Sequence, residues 1–234
     1  MTDQLTSDLL EMLTIMRAAE RDIFGALRAD VREQPIRAGD WSPKDHLAHL
    51  SAWKGRQADR LAAAGTGSEL EEWQGEDDEI NARLREERTA WSWDETVADA
   101  EAVHERLAAE IRAIDPDVLR DGERLVDGTY GNGVFHAQQH VSWLQAAGIG
   151  IDEQRVITFA EDIERLVRRS SLPNRDRGTA IYNAACFQSM AGRDDRARPL
   201  LREAFALRPE LVEWARQDSD LVSLHGELEA LATQ

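Results

Sequence analysis

Apolar residues recur every three or four positions along most of the first 150 residues, which is the period of an amphipathic helix. The first stripe, in residues 4–29, contains Leu5, Leu9, Met12, Leu13, Met16, Ile23 and Leu27. A second helix is predicted from Ser42 to about Ala64, and a third from Ser92 to a point before Pro116. The alternation typical of strands is nearly absent, so the pattern predicts an all-α protein built around a helical bundle.

Two of these helices have clear start signals. Ser42 precedes Pro43, a residue favoured at the first helical position, and an acid follows at Asp45. Ser92 is followed three residues later by Glu95. A serine with an acid three positions on forms a capping box, in which each side chain binds the backbone N–H of the other residue. The helix boundaries at Ser42 and Ser92 are therefore predicted from chemistry as well as from periodicity.

The remaining segments of the first 150 residues are more polar. Residues 69–90 are acidic and are predicted to contain one shorter helix. The glycine-containing stretch RDGERLVDGTYGNG, residues 120–133, is interpreted as a loop that leads into a last bundle helix ending at about Ala147. Three polar residues of this loop are candidates for contacting a ligand: Asp127, Tyr130 and Asn132.

After the linker GIGID the pattern changes. Residues 181–209 resemble one tetratricopeptide repeat, with matching positions at Ala185, Gly192, Ala197, Ala204 and Pro209 and a departure at Gln188. One repeat cannot bury its own apolar face, so flanking helices at about 153–169 and 210–217 are expected to cover it. We therefore expect two domains: a bundle over residues 1–148 and a tetratricopeptide-like helical region over residues 152–234.

The charge of the chain limits its partners. The net charge is −17, and most of it lies before residue 150. An acidic bundle is a poor match for nucleic acid or for anionic lipid, both of which attract basic surfaces. No apolar run approaches the roughly 20 residues that a membrane helix needs, and the first residues lack the basic start of a signal peptide. We expect a soluble, cytoplasmic protein that binds neither nucleic acid nor membrane.

The stretch HAQQH contains the most informative chemistry. It places His136 and His140 four residues apart, on one face of the predicted last helix. Such a pair can be buried in the core, solvated, or part of a metal site. His49 lies in the middle of the second helix and can face the bundle interior. Two ligands from one helix and one from its neighbour would leave coordination positions open, as in catalytic rather than structural zinc sites.

The other histidines and the cysteine have simpler interpretations. His46 is expected at the surface, with support of a metal ligand as the alternative. His104 is expected in the core with its hydrogen bonds satisfied, with support of a ligand or contact with a substrate as the alternative. His225 is expected in solvent. Cys186 is the only cysteine, so no internal disulfide can form, and it is expected to be a small buried residue. The seven tryptophans are expected mainly to pack against other side chains, and Trp53 and Trp143 are also candidates for the wall of a pocket beside the histidines.

The segments WSPKDHLAHLSAW and HAQQH, together with the WSWDE helix start, resemble the DinB/YfiT-like superfamily of four-helix bundles over about residues 5–147. Carried onto this chain, the resemblance implies that His49, His136 and His140 hold a divalent transition metal. Nickel, zinc and iron all suit imidazole ligands. The resemblance also implies a homodimer and an S-transferase that uses a low-molecular-weight thiol such as bacillithiol or mycothiol.

Two alternatives remain open. A metal ion can also lower the pKa of bound water, which would make the protein a hydrolase. The second alternative is non-enzymatic: a stress-associated binding or scaffold protein that contacts a protein partner through the tetratricopeptide-like region, with a structural or vestigial metal site. The sequence has no GxSxG, HExxH or GxxxxGK[ST] motif that would indicate a different catalytic class.

Overall fold

The computed structural model describes residues 3–36, 40–122 and 124–233. All regular secondary structure within these ranges is helical, which confirms the predicted all-α class. The chain divides into two compact units, Met1–Asp152 and Glu153–Gln234. Within the described ranges, none of the helices combines the length and the apolar character that crossing a bilayer requires.

The first unit contains the predicted bundle and several short helices. Its elements are α1 (Gln4–Gly25), α2 (Ala29–Arg32), α3 (Pro43–Thr66), α4 (Asp77–Arg88), α5 (Trp93–Ala113), α6 (Pro116–Asp121), α7 (Val126–Tyr130), a π-helical turn (Gly131–Phe135) and α8 (His136–Ala146). The last three follow one another without a break, so they act as one long helical segment.

Four helical segments pack around a common core. Helix α5 packs against both α1 and α3, and the segment from α7 to α8 also packs against both. Helix α4 covers α3 from outside this set. The bundle interior contains the fully buried side chains Leu9, Met12, Leu50, Leu107, Ile111 and Leu144. The four-helix bundle is therefore present, and α3 and α8 are neighbours within it.

Both predicted capping boxes are present. The Asp45 N–H donates to Ser42 Oγ at 3.1 Å, and the Ser42 N–H donates to the Asp45 carboxylate at 2.9 Å. At α5, the Glu95 N–H donates to Ser92 Oγ at 3.2 Å, and the Ser92 N–H donates to the Glu95 carboxylate at 2.7 Å. A cap of this kind stabilises a helix by about 1 kcal/mol. The start of α3, which sets the position of His49, is thus determined locally.

The predicted loop over residues 120–133 is wrong, because the chain is helical from Val126 onward. Two glycines serve close packing here rather than chain flexibility. A Cβ atom at Gly128 would lie 2.5 Å from Gln57 Oε1, and one at Gly133 would lie 2.5 Å from Leu13 Cδ2. Side chains at these positions would force the segment away from α1 and α3. The glycines therefore allow the segment that carries the histidines to approach the bundle core.

The second unit consists of shorter helices. Its elements are α9 (Glu153–Arg169), α10 (Asn174–Met190), α11 (Asp194–Leu207), α12 (Leu211–Ala215), a 3-10 helix (Ser219–Glu227) and α13 (Leu228–Ala232). Helices α10 and α11 form a closely packed pair, joined at Gly192, whose φ of +70° favours glycine. Helix α9 packs on α10, and α13 packs on α11. These contacts do not identify a repeat family, so the tetratricopeptide-like interpretation stays a prediction.

Candidate metal centre

Two neighbouring helices bring four histidines together. Helix α3 contributes His46 and His49, which are one turn apart, and α8 contributes His136 and His140, which are also one turn apart. His49 is 6% exposed and His140 is 3% exposed. The wide π-helical turn ends at Phe135, immediately before His136. Such turns often occur at functional sites, because the additional residue changes which way the following side chains point.

Three of these imidazoles converge through the same ring atom. His136 Nε2 lies 3.0 Å from His49 Nε2 and 3.1 Å from His140 Nε2. One possible ligand atom from each of the three side chains lies within 4.8 Å of the others. Two imidazole nitrogens that each lie about 2.1 Å from one ion are separated by roughly 3.0–3.4 Å. The cluster of His49, His136 and His140 is therefore compatible with a metal site.

The protonation states of these histidines also suit a cation. Burial lowers the pKa of His49 to about 3 and that of His136 to about 4. The pKa of His140 is also lowered, first by burial and then by the neighbouring His136. At neutral pH the imidazoles are uncharged, so each has a nitrogen lone pair available for a ligand bond. Buried neutral imidazoles in this arrangement fit a divalent transition metal.

The structure corrects the surface position expected for His46. This residue is only 8% exposed, and its Nδ1 lies 2.6 Å from Nδ1 of His140. His46 thus contacts the Nδ1 side of the His140 ring, whereas His136 faces the Nε2 of the same ring. The expectation failed because helix periodicity placed His46 on α3 but gave no information on how far α8 extends over that helix face.

Aromatic side chains surround the histidines. The Trp53 ring lies 6.2 Å from the rings of His49 and His136, and the Trp143 ring lies 4.8 Å from that of His140. Both tryptophans lie beside the histidines, but only Trp53 lines the cavity onto which His49 and His136 open, and Trp143 is not among the described residues that line it. Trp41 was missed in this role, although its ring is 4.8 Å from that of His49. It directly precedes the Ser42 cap, a position where apolar residues commonly pack back onto the helix.

A cavity of about 300 Å³ opens onto two of the three candidate ligands. It is lined by His49, Trp53, Asp77, Asn81, Gly131, Asn132, Phe135, His136 and Gln139. Of the three ligand-contact candidates, Asn132 lines this cavity. Asp127 is exposed and Tyr130 is buried, and neither is among the lining residues in the described chain. The cavity combines aromatic walls with amide groups and one carboxylate beside the histidines.

A buried ion network lies next to the centre and was not predicted. Lys54 forms an ion pair with Glu20, and Glu20 also pairs with Arg17 at 3.0 Å. Burial raises the pKa of Glu20, but the positive charges of Lys54 and Arg17 lower it by more, so the pKa ends below its usual value. Burial is the main cause of the lowered pKa of His136; the charge of Lys54 lowers that pKa further, and the charge of Glu20 opposes this effect. The network therefore acts electrostatically on one candidate ligand.

The remaining histidines and the cysteine differ in how well they match expectation. His104 is buried as predicted, but its Nδ1 has no hydrogen-bond partner among the described residues, so it is not fully satisfied. His225 is exposed, and its Nε2 contacts the Asp218 carbonyl oxygen at 2.9 Å. Cys186 is buried, and burial raises the pKa of its thiol well above the ordinary value. An activated thiolate at Cys186 is therefore not indicated.

Comparison with known proteins agrees with the helical bundle. The family model of the DinB superfamily matches residues 12–144. Because this match covers more than half of the chain, the protein belongs to the DinB superfamily. No curated protein and no solved structure matches the chain. The family match includes all four clustered histidines and ends before the second unit.

Proposed function

We propose that the protein is a metal-dependent S-transferase that joins a low-molecular-weight thiol to an electrophile. The observation that carries the proposal is the convergence of three Nε2 atoms, from His49, His136 and His140, beside a cavity that reaches two of them. Three protein ligands leave coordination positions for an exchangeable group, whereas a structural site is usually closed by four. The adjoining cavity provides space for such a group.

In this proposal the histidines hold a divalent nickel, zinc or iron ion. Imidazole is a suitable ligand for each of these metals, so the donor set alone does not select one. When bound, the ion would act as a Lewis acid that lowers the pKa of a thiol and so favours its nucleophilic form.

The reaction proposed is a thiol substitution. The thiol loses its proton to solvent, and its sulfur uses a lone pair to form a bond to an electrophilic carbon. The bond from that carbon to the leaving group breaks, and the leaving group takes the bonding electron pair. In an epoxide the oxygen takes this electron pair, stays attached to the product through the other ring carbon and gains a proton. Trp53 and Phe135 would limit water access, and the amides of Asn81, Asn132 and Gln139 would orient polar groups of the thiol or the electrophile.

The proposal is tested with chelator-treated protein that is reloaded with zinc, nickel or iron under reducing conditions. Consumption of thiol is followed against a panel of thiols, including mycothiol and bacillithiol, with a chromogenic haloarene and an epoxide as electrophiles. We expect turnover only with metal, and at least a 100-fold loss in His136→Ala, since removal of an essential group commonly costs this much. His225→Ala, which alters an exposed histidine far along the chain, should keep full activity. Metal-loaded protein that consumes no thiol across the panel would contradict the transferase.

A second candidate function is supported by the surface of the second unit. Two large apolar side chains of this unit are exposed, Trp214 at 68% and Val222 at 65%, and aromatic side chains are enriched at protein interfaces. In this alternative, residues 152–234 bind a protein partner and the metal site is structural or vestigial. Partner binding that is unchanged by removal of metal, together with absence of turnover, would favour this alternative. Turnover that depends on metal would favour the transferase.

A further inference from the structure

His46 occupies a position that the three-histidine cluster does not explain. It lies three residues before His49 on α3, and its ring is buried against that of His140, with ring centroids 4.8 Å apart. Its Nδ1 is 2.6 Å from Nδ1 of His140, which is a hydrogen-bond distance. His140 thus has both ring nitrogens engaged: Nδ1 contacts His46, and Nε2 faces His136.

The chemistry of imidazole determines the direction of this hydrogen bond. A neutral imidazole that offers the Nε2 lone pair to a metal carries its proton on Nδ1. The Nδ1–H of His140 therefore needs an acceptor, and the atom at 2.6 Å is Nδ1 of His46. To accept, His46 must itself be neutral and carry its proton on Nε2. If His140 is a ligand, the short contact therefore requires His140 to be protonated at Nδ1 and His46 to be protonated at Nε2.

We propose that His46 is a positioning residue that accepts a hydrogen bond from His140 and thereby holds the Nε2 lone pair of His140 toward His49 and His136. The proposal rests on the metal-binding part of the proposed function and does not depend on thiol transfer. A partner of this kind orients a ligand and raises its basicity, and its loss typically costs 10–100-fold in metal affinity.

The other α3 histidine provides an internal contrast. His49 Nδ1 is buried and has no hydrogen-bond partner among the described residues. His49 and His140 are both buried candidate ligands, and both direct Nε2 toward the cluster. Only His140 has a hydrogen-bond partner at Nδ1 among the described residues, and that partner is His46. His46 is itself held in place, because the Trp41 ring packs edge-on to it at 5.5 Å.

Two substitutions at the same position separate hydrogen bonding from packing. His46→Leu removes the acceptor and keeps an apolar side chain of moderate size. His46→Asn keeps an acceptor, since the asparagine Oδ1 can occupy nearly the place of the histidine Nδ1. Zinc affinity is measured by competition with a chromogenic chelator at pH 7.5, and the absorption spectrum of the cobalt-loaded protein reports ligand geometry. His225→Leu is the control, and circular dichroism of each metal-free variant checks the fold.

We expect His46→Leu to bind zinc about 10–100-fold more weakly, with an altered cobalt spectrum, and His46→Asn to stay within about threefold of the unmodified protein. Equal affinity in His46→Leu and the unmodified protein would overturn the proposal. So would an equal loss in both variants, because that pattern would indicate packing alone. Failure of the unmodified protein to bind metal would remove the proposed function and this inference together, whereas metal binding without thiol turnover would remove only the transferase.

A second measurement does not depend on any variant folding correctly. In the zinc-loaded unmodified protein, nitrogen-15 NMR of the imidazoles reports which ring nitrogen carries the proton. We expect His140 to be protonated at Nδ1, and His46 to be protonated at Nε2 and unprotonated at Nδ1. A proton on Nδ1 of His46, or a proton on Nε2 of His140, would overturn the proposal.

Discussion

Among single side chains, His136 has a central place in the cluster, because its Nε2 lies within 3.1 Å of the corresponding atoms of both His49 and His140. We predict that His136→Ala reduces metal occupancy at least tenfold and leaves the bundle folded, since the helix does not depend on this side chain. Elemental analysis after dialysis measures occupancy, and circular dichroism measures helix content. His225→Ala should change neither quantity, and unchanged occupancy in His136→Ala would show that His136 is not a ligand.

The lowered pKa values of the buried histidines predict how the metal-free protein responds to acid. An unfolded histidine has a pKa of about 6.5, whereas folding lowers that of His49 to about 3. Between these values the unfolded chain binds a proton that the folded chain excludes. The contribution of His49 to the free energy of unfolding is therefore fully present above about pH 6.5 and decreases as the pH falls toward 3.

His49→Asn should reduce this loss, because it removes one of the groups that take up a proton on unfolding. Urea unfolding of chelator-treated protein at about pH 7, 6 and 5 measures the free energy of unfolding for both proteins. As the pH is lowered across this range, we expect the free energy of unfolding to fall less in His49→Asn than in the unmodified protein. A constant difference would mean that His49 does not titrate between the folded and unfolded states as its burial implies.

The side chains in and around the cluster differ in how far the sequence alone predicts their positions. The spacing of His136 and His140 predicted a shared helix face, the mid-helix position of His49 made it the candidate third ligand, and the family resemblance supported all three. His46 could not be assigned in the same way, because a side chain near the edge of a helix face is buried only if a neighbouring helix covers it. The ion pair of Glu20 and Lys54 was missed for a related reason: charged residues are rarely buried, and their partner on another helix is visible only in the fold.

At the scale of elements, local chemistry predicted some boundaries well and others poorly. The starts of α3 and α5 were predicted because Ser42 and Ser92 bind backbone groups within a few residues. The helical stretch over residues 126–133 was misinterpreted as a loop because glycine favours both turns and close helix contacts. Only the position of α1 reveals that Gly133 lies against Leu13. A local signal predicts structure when both interacting groups are near in sequence.

Two glycines of this segment give a direct test of that interpretation. A methyl group at Gly133 would lie 2.5 Å from Leu13 Cδ2, so Gly133→Ala should destabilise the protein by about 1–3 kcal/mol. At Gly131 no atom lies within 4 Å of an added Cβ, and the backbone is helical, with a φ of −56°. Gly131→Ala should therefore be neutral or stabilise by up to about 1 kcal/mol. Urea unfolding measures both effects, and equal effects at the two positions would contradict a role for Gly133 in close packing.

For the whole molecule, membership of the DinB superfamily rests on residues 12–144 and agrees with the helical bundle. The division into a bundle domain, residues 1–148, and a tetratricopeptide-like domain, residues 152–234, is our proposal for how the chain is organised. The sequence signal for the first domain was strong, because long amphipathic stripes and capped helix starts agree with one another. The signal for the second rested on small residues in one helix pair, which many helical folds share.

We also predict that the protein forms a homodimer. This prediction comes from the family resemblance, and an interface of standard size requires only about 800 Å² from each partner. A single chain has a mass of 26.3 kDa. Light scattering at a protein concentration of roughly tens of micromolar should give about twice this mass. A mass that stays at that of a single chain throughout this concentration range would contradict the prediction.

The central claim is that His49, His136 and His140 share one divalent ion, and it is tested most directly by X-ray absorption on untagged protein after dialysis against zinc at about pH 7.5. We predict about one ion per chain, with nitrogen ligands at about 2.0–2.2 Å and a scattering pattern that includes imidazole rings. Neutral pH is essential, since acid protonates the imidazoles and releases metal. Fully folded protein that takes up no zinc, nickel or iron, or that binds the ion without imidazole ligands, would contradict the claim.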